Sequence, residues 1–187
     1  MQAQVEKLLR DTQRDGIEDV ITFLAKSDFY ISPASSGLTY HNCMEGGLVD
    51  HSWKTYKMMV SLNDMLSEDQ KFNKDSIVLV GLLHDLCKAN TYNVNILKSG
   101  SQSEKIPYKR NDQFPAGHGE KSVIQLLQLG LDLTNEEILG IRWHMNAFDD
   151  IGSYKAASNW NKLSIMCFLG DYFSSTFLEF KKNKKEE

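Results

Sequence analysis

The sequence predicts an all-α helical bundle with one short β-hairpin inserted into it. Apolar residues recur every three or four positions along most of the chain, which is the spacing of one helix face. The period changes to strict alternation only near Tyr92 and again near Tyr108, on either side of a stretch rich in Gly and Ser. We therefore expect a single domain over residues 1–187, with its core at about 40–175, the hairpin at about 91–114 and a charged tail at 181–187.

Two N-terminal helices and a long loop are predicted first. Apolar residues at helical spacing indicate two amphipathic helices that are separated near Gly16. Residues 30–40 contain Pro33, two adjacent serines and Gly37, so we expect a loop that leads to His41. A helix should begin near Gly46 and Gly47. Its expected inner face is Leu48, His51 or Ser52, Thr55, Met58 and Leu62.

The next predicted helix follows a polar connector at 67–74, and Asp75 or Ser76 could cap it. Its apolar stripe would lead to the adjacent His84 and Asp85, and the hairpin should follow as a lid or pocket wall.

Three more helices are predicted after the hairpin. One starts at His118, with Val123, Leu126 and Leu127 on its inner face. The second opens with the capping-box pattern of Thr134 and Glu137 and carries Ile138, Ile141, His144 and Met145. The last should run from about Ser158 into the 170s and bring Asp171 to a mostly apolar face.

Composition limits the classes of partner. The formal net charge of −4 argues against a broad nucleic-acid-binding surface, although a small anionic substrate can still bind in a local basic pocket. The 3 cysteines lie far apart without a CxxC pair, so neither a zinc knuckle nor a disulfide framework is expected. Free thiols suit a reducing cytoplasm, and the absence of a long apolar run predicts that the chain has no membrane segment, so we expect a cytoplasmic protein. The oligomeric state is left open.

The inward-facing polar residues form the candidate site. A single histidine on an apolar face is more often a hydrogen-bonded core residue than a ligand. Most of the 5 histidines, however, fall on inner faces or helix starts, together with two carboxylates. Such nitrogen and oxygen donors suit divalent iron, manganese, nickel, cobalt or zinc, and their number suits two ions that share a carboxylate. The candidate ligands are His51, His84, Asp85, His118, His144 and Asp171.

Two motifs resemble a known family. HNCMEGGLVDH (41–51), LLHDLCK (82–88) and the later Asp171 are similar to the signature of the HD-domain superfamily of metal-dependent phosphohydrolases, over roughly residues 40–174. The form is close to the HD domains of bacterial exoribonucleases and of small bacterial and phage hydrolases, although Cys87 replaces the common glycine. Because those exoribonucleases carry a further nucleic-acid-binding domain for which this chain has no room, we expect the HD fold but not an RNA substrate.

The resemblance implies a role for each ligand. His51, His84, Asp85 and Asp171 would hold the first metal, and His118 and His144 the second, with Asp85 bridging both. A hydroxide between the ions would attack the phosphoryl group of a small substrate, most plausibly a nucleotide or cyclic nucleotide.

Further residues are candidates for contact with the substrate. Lys88, one turn after His84, is expected to stabilise the charge that develops on phosphate, a catalytic role that it would share with Asp85. His41, Glu45, Lys121 and Arg142 are candidate substrate-binding residues, with capping or surface salt bridges as the alternatives. Aromatic residues of the hairpin region, or Trp143, Phe148 and Trp160, can stack on a base or simply pack in the core.

Two other functions remain open at this stage. Oxygenases of the same superfamily use the same ligand set to hold a di-iron pair, and the ligands alone do not separate them from hydrolases. The HD-x-x-K arrangement favours hydrolysis. A binding module that keeps its metal only for stability is the third hypothesis.

Overall fold

The computed structural model describes residues 1–114, 116–145, 159 and 161–181. This part of the chain is helical apart from one two-stranded sheet, which confirms the predicted all-α class with a short hairpin. The helices are α1 (Gln2–Asp11), α2 (Ile17–Lys26), α3 (Gly47–Asp64), α4 (Lys74–Leu83), α5 (His118–Gln128), α6 (Asn135–Arg142) and α7 (Lys162–Phe173). Short 3-10 turns cover Glu68–Gln70 and Leu86–Lys88, and a π-helical turn, Ser174–Leu178, follows α7. The division into a single domain stays a prediction.

Helix α3 is the centre of the bundle, packed between α4 and α7. Two glycines allow this close approach. A Cβ at Gly81 of α4 would lie 2.7 Å from the Cα of Tyr56, and one at Gly170 of α7 would lie 2.9 Å from Cγ of Met59. Real Cβ atoms do not approach other atoms this closely. Both helices can therefore pack this close to α3 only because glycine stands at these two positions. The ends of α4 and α7 are thereby brought to the same face of α3.

The hairpin consists of β1 (Tyr92–Val94) and β2 (Tyr108–Arg110), which pair antiparallel with Tyr92 opposite Arg110. It is tied to the loop before α3, because Tyr108 N donates to Ser36 O at 3.2 Å. The hairpin therefore lies beside this loop, directly after the His84-Asp85 pair in sequence.

Several predicted details of the helices are wrong. Met59 rather than Met58 is buried on α3, because the inward stripe drifts by one position over its 18 residues. Asn73 rather than Asp75 or Ser76 caps α4, since its side chain accepts from Asp75 N. Leu127 is exposed, because only Val123 and Leu126 of the predicted α5 trio face the core.

The ends of the last two helices also differ from the prediction. Helix α6 ends at Arg142, before Met145. Asn161 caps α7, so this helix begins at Lys162. The predicted start near Ser158, the aromatic candidates Phe148 and Trp160, and the tail beyond Lys181 lie outside the described residues. Within the described ranges, no helix combines the length and apolar character that crossing a bilayer requires.

A buried ion pair joins the chain after α1 to the start of α6. Arg14 contacts both carboxylate oxygens of Glu137, at 2.7 and 2.8 Å, and Ser76 donates to the same carboxylate at 2.7 Å. Glu137 also closes the predicted capping box with Thr134. Burial raises the pKa of Glu137, but the hydrogen bonds from Arg14, the Thr134 backbone and Ser76 outweigh it, so the pKa is lowered overall.

We predict that Arg14→Met destabilises the protein by about 3 kcal/mol at neutral pH, because it leaves a buried carboxylate without its counter-ion. Since the folded-state pKa of Glu137 is lowered, its contribution is present above the unfolded-state pKa and is lost as pH falls through the folded-state pKa. Urea unfolding at neutral and acidic pH measures both effects. Arg10→Met, which removes an exposed pair with Glu18, is the control. An equal decrease in the free energy of unfolding in the two variants would contradict the prediction.

Candidate metal centre

The candidate site forms where the ends of several helices meet the middle of the bundle. Helix α4 ends at Leu83, and Asp85 adopts φ −106° and ψ 21° before the 3-10 turn Leu86–Lys88. In a continuing helix neighbouring side chains diverge by about 100°. The break after Leu83 instead lets His84 and Asp85 face one centre.

A second close approach sets the other side of the site. A Cβ at Gly119 would lie 2.2 Å from the carbonyl oxygen of Arg142, so α5 can start against the end of α6 only at a glycine. This contact joins the start of α5, whose first residue is His118, to the end of α6, which His144 follows, and His144 acts electrostatically on His118.

His51 lies at the middle of the first group of side chains. Its Nε2 is 3.1 Å from Nε2 of His84, 3.3 Å from Oδ2 of Asp85 and 3.4 Å from Oδ1 of Asp171. His51, His84 and Asp85 are buried, and the Asp171 side chain is 14% exposed. One nitrogen and two oxygen atoms of neighbouring side chains therefore lie within 3.4 Å of Nε2 of His51.

The second group uses the other oxygen of the same aspartate. Nε2 of His144 is 3.5 Å from Oδ1 of Asp85, and the His84 and His144 rings lie 4.9 Å apart. A ring nitrogen of His118 lies within 4.8 Å of a carboxylate oxygen of Asp85. All the predicted metal ligands are thus brought together around Asp85, whereas their role in binding metal remains a prediction.

Hydrogen bonds orient the three buried imidazoles. Nδ1 of His84 donates to Gly81 O at 3.0 Å, and Nδ1 of His144 donates to Ile141 O at 2.7 Å. Because a carbonyl can only accept, a neutral ring must then present an unprotonated Nε2 towards the centre. Nδ1 of His51 faces a carboxylate instead, Oε1 of Glu179, at 2.8 Å.

The histidines of the centre fall into two groups, one with lowered and one with raised pKa values. Burial lowers the pKa of His84 well below its ordinary value and also lowers that of His118. Burial acts in the same direction on His51, but hydrogen bonds with Asp85 and Glu179 and the nearby Asp171 raise its pKa to about 10. The pKa of His144 is likewise raised, because the Asp85 carboxylate outweighs burial.

The pKa values of the two carboxylates, like those of the histidines, shift in opposite directions. Burial raises the pKa of Asp85, but Lys88 and the surrounding imidazoles lower it well below the ordinary value. Burial is the dominant effect on Asp171, whose pKa is raised. The ionised form of Asp85 therefore depends on the cationic groups around it.

The donors fit divalent metal ions. Oδ1 of Asp85, Nε2 of His144 and Nδ1 of His118 are buried and have no hydrogen-bond partner among the described residues. Leaving such polar groups without partners costs free energy, which a cation at the centre would recover. Imidazole and carboxylate donors are also the set that borderline divalent metals prefer.

Lys88 and His41 lie beside this centre, and their contact with a substrate stays a prediction. Nζ of the buried Lys88 is 2.6 Å from Oδ2 of Asp85. The half-buried His41 ring lies 4.8 Å from that of His51, and burial, together with the Lys88 charge, lowers its pKa to about 2. His41 is therefore a neutral wall of the site.

The other predicted substrate-binding residues do not join the centre. Glu45 is exposed, and none of the described contacts joins it to the ligands. Lys121 is buried in an ion pair with Asp112 rather than lying at the surface. Arg142 packs over the Trp143 ring at 4.0 Å and contacts Glu120 at 2.6 Å. Intramolecular partners thus occupy both cations, as the salt-bridge alternative expects, and their contact with a substrate stays a prediction.

Of the aromatic candidates, Tyr92 lies nearest the centre. It is half-buried on β1, and the charges of both Lys88 and Asp85 act on its hydroxyl, whose pKa burial raises. Tyr108 lies half-buried on β2, and Phe114 is exposed. Trp143 is buried, as the core alternative predicts.

Sequence analysis missed Glu179. This buried carboxylate follows the π-helical turn and contacts His51. Its one sequence signal is an isolated acidic residue between Leu178 and Phe180, at the edge of the basic tail. Cys87 also lies within 4.8 Å of donors on Asp85 and His118, but burial raises the pKa of its thiol to about 12.

Comparison with known proteins agrees with this geometry. The chain is 31% identical over 64 residues to the dihydroneopterin 2',3'-cyclic phosphate phosphodiesterase of Methanocaldococcus jannaschii, an alignment that covers 33% of this chain and 26% of that relative. The chain thus matches only about a quarter of the relative's length. No solved structure matches. The HD domain family matches residues 48–172, a segment that includes every predicted metal ligand. This protein belongs to the HD domain family.

Proposed function

We propose that this protein is a metal-dependent phosphohydrolase that cleaves a phosphate mono- or diester, with a nucleotide or cyclic nucleotide as the substrate. One observation carries the proposal: buried Asp85 directs its two oxygens at two separate groups of imidazoles. A carboxylate in this position is suited to bridge two cations. The M. jannaschii relative, by its name, acts on a cyclic phosphate ester, which supports the same class of substrate.

The geometry supports a division of the donors between two ions. His51, His84, Asp85 and Asp171 would hold the first ion, and Asp85, His118 and His144 the second, since Oδ2 of Asp85 faces His51 and Oδ1 faces His144. When bound, divalent ions lower the pKa of a coordinated water and neutralise charge on phosphoryl oxygens. The protein's own contribution is a buried set of donors in a fixed arrangement, from which bulk water is largely excluded.

Lys88 supplies a fixed positive charge beside the ligands. Burial lowers the pKa of its ammonium, but the Asp85 carboxylate outweighs burial, so the pKa is raised and the group stays protonated. Its hydrogen bonds can therefore reach a non-bridging oxygen of a phosphate at the centre, where charge grows in the transition state. This ammonium favours phosphate chemistry over the alternative di-iron oxygenase.

The position of Tyr92 supports a substrate that carries an aromatic leaving group or a base. It stands on the first strand of the hairpin, between the charges of the centre and solvent. Tyrosine rings stack on bases with about 1–3 kcal/mol per contact. We assign the hairpin the role of a wall that selects the organic part of the substrate.

We expect metal binding to be measurable in the absence of substrate. Manganese, cobalt, nickel, iron or zinc should raise the melting temperature, because a ligand at 100 times its Kd stabilises by about 2.7 kcal/mol. Metal analysis should give two ions per chain, and Asp85→Asn should lose both. Glu137→Gln is the matched control, since it removes a buried carboxylate that pairs with Arg14 and Ser76 rather than with the candidate ligands, and it should keep the metal. Equal metal content in the two variants would contradict the assignment.

Hydrolysis is tested with a panel of cyclic nucleotides and bis(4-nitrophenyl) phosphate. His84→Ala and Asp85→Ala should abolish phosphate ester cleavage with the helical circular dichroism preserved. Lys88→Met should lower kcat by about 100-fold while metal content is retained, because it removes one donor at the developing charge. Lys54→Met, which removes a half-buried lysine of α3 that pairs with Asp50, is the control. Cleavage that persists in the His84 and Asp85 variants would exclude the proposal.

Substrate selection by the hairpin has a separate test. Tyr92→Ala should raise KM for a nucleotide by about 10-fold or more through lost stacking, whereas Tyr92→Phe should keep KM near wild type. The small ester bis(4-nitrophenyl) phosphate serves as the internal comparison. A similar increase in KM in both variants would instead assign the effect to the hydroxyl group.

A further inference from the structure

The segment after α7, residues 174–181, folds back against the candidate centre; we call it the C-terminal arm. It lies outside residues 48–172, which match the family. Asn42 N donates to Phe180 O at 3.0 Å, so the arm is attached to the loop that precedes α3. This attachment places the buried Glu179 against the ring of His51.

The imidazoles of the centre differ in what orients them. His84 and His144 each donate from Nδ1 to a carbonyl only three residues earlier in the chain, so local backbone sets their rings. Among the described residues, Nδ1 of His51 contacts no such carbonyl and is paired with Glu179, 128 residues away. The orientation of His51 therefore depends on the position of the arm.

Glu179 lies on the far edge of the His51 ring. Its Oε1 contacts Nδ1 at 2.8 Å, whereas Nε2 of the same ring faces His84 and Asp85. This is the arrangement in which an outer carboxylate fixes the tautomer and the basicity of a ligating imidazole. Oε2 of Glu179 is buried without a hydrogen-bond partner within the described ranges, so the contact with His51 is the one hydrogen bond of this carboxylate there.

We propose that Glu179 is a positioning residue of the metal centre, which accepts the Nδ1–H of His51 and holds Nε2 towards the ion, and that the C-terminal arm is therefore part of the site. The inference rests on the proposed metal site. It predicts reciprocal coupling, in which docking of the arm strengthens metal binding and bound metal stabilises the docked arm.

The test compares metal affinity in Glu179→Ala, Glu179→Gln and wild type by calorimetric titration with zinc or manganese. The alanine variant should bind at least 10-fold more weakly, within the 10–100-fold range of outer-partner losses. The glutamine variant is isosteric and keeps an oxygen that accepts the Nδ1–H, so it should fold and lie between the two. Thr176→Ala, an exposed change in the same arm, should bind as wild type does.

Two further measurements do not depend on activity. Long-range ¹H–¹⁵N spectra of histidine-labelled, zinc-loaded protein should show His51 protonated at Nδ1 in the wild type and a changed His51 signal in Glu179→Ala. Hydrogen exchange of residues 174–181 should slow on addition of metal in the wild type and change less in Glu179→Ala.

The outcomes separate the two proposals. If the wild type binds metal and both Glu179 variants bind it within twofold of the wild type, with unchanged His51 signals, this inference is overturned while the metal centre stands. If the wild type binds no divalent ion, the proposed function fails and this inference fails with it.

Discussion

Burial of the Asp85 carboxylate is the constraint on which the rest of the site depends. This side chain is 2% exposed and would be costly to bury without cationic partners. Lys88 at 2.6 Å and imidazoles on both sides offset that cost within the chain itself. One oxygen nevertheless stays without a hydrogen-bond partner among the described residues. The centre is therefore organised to keep one carboxylate ionised and accessible to a cation.

Backbone packing supplies this arrangement. Glycines at 81, 119 and 170 stand where two helices meet at distances that a Cβ would prevent. The contacts at Gly81 and Gly170 hold the ends of α4 and α7 against α3, and the contact at Gly119 holds the start of α5 against the end of α6. The break of α4 after Leu83 adds the second donor of the His84-Asp85 pair. Core packing and the candidate site thus depend on the same close contacts between helices.

Much of the fold and of the candidate site was predictable, because both follow from local sequence patterns. Helical periodicity located the helices, and inward-facing spacing selected candidate ligands that the fold does bring together. Contacts between distant segments were not predictable. The Lys121–Asp112 pair and the Arg142 contacts arise from tertiary packing, and so does the pairing of Glu179 with His51. A lone glutamate near a basic tail has no periodic signature, so only the folded position of the arm shows its contact with the site.

Anomalous diffraction from crystals grown with manganese or zinc tests the central claim most directly. The account predicts two peaks, one among His51, His84, Asp85 and Asp171, and the other among Asp85, His118 and His144, with Asp85 contacting both. Peaks confined to the protein surface, or a pair that Asp85 does not join, would contradict it.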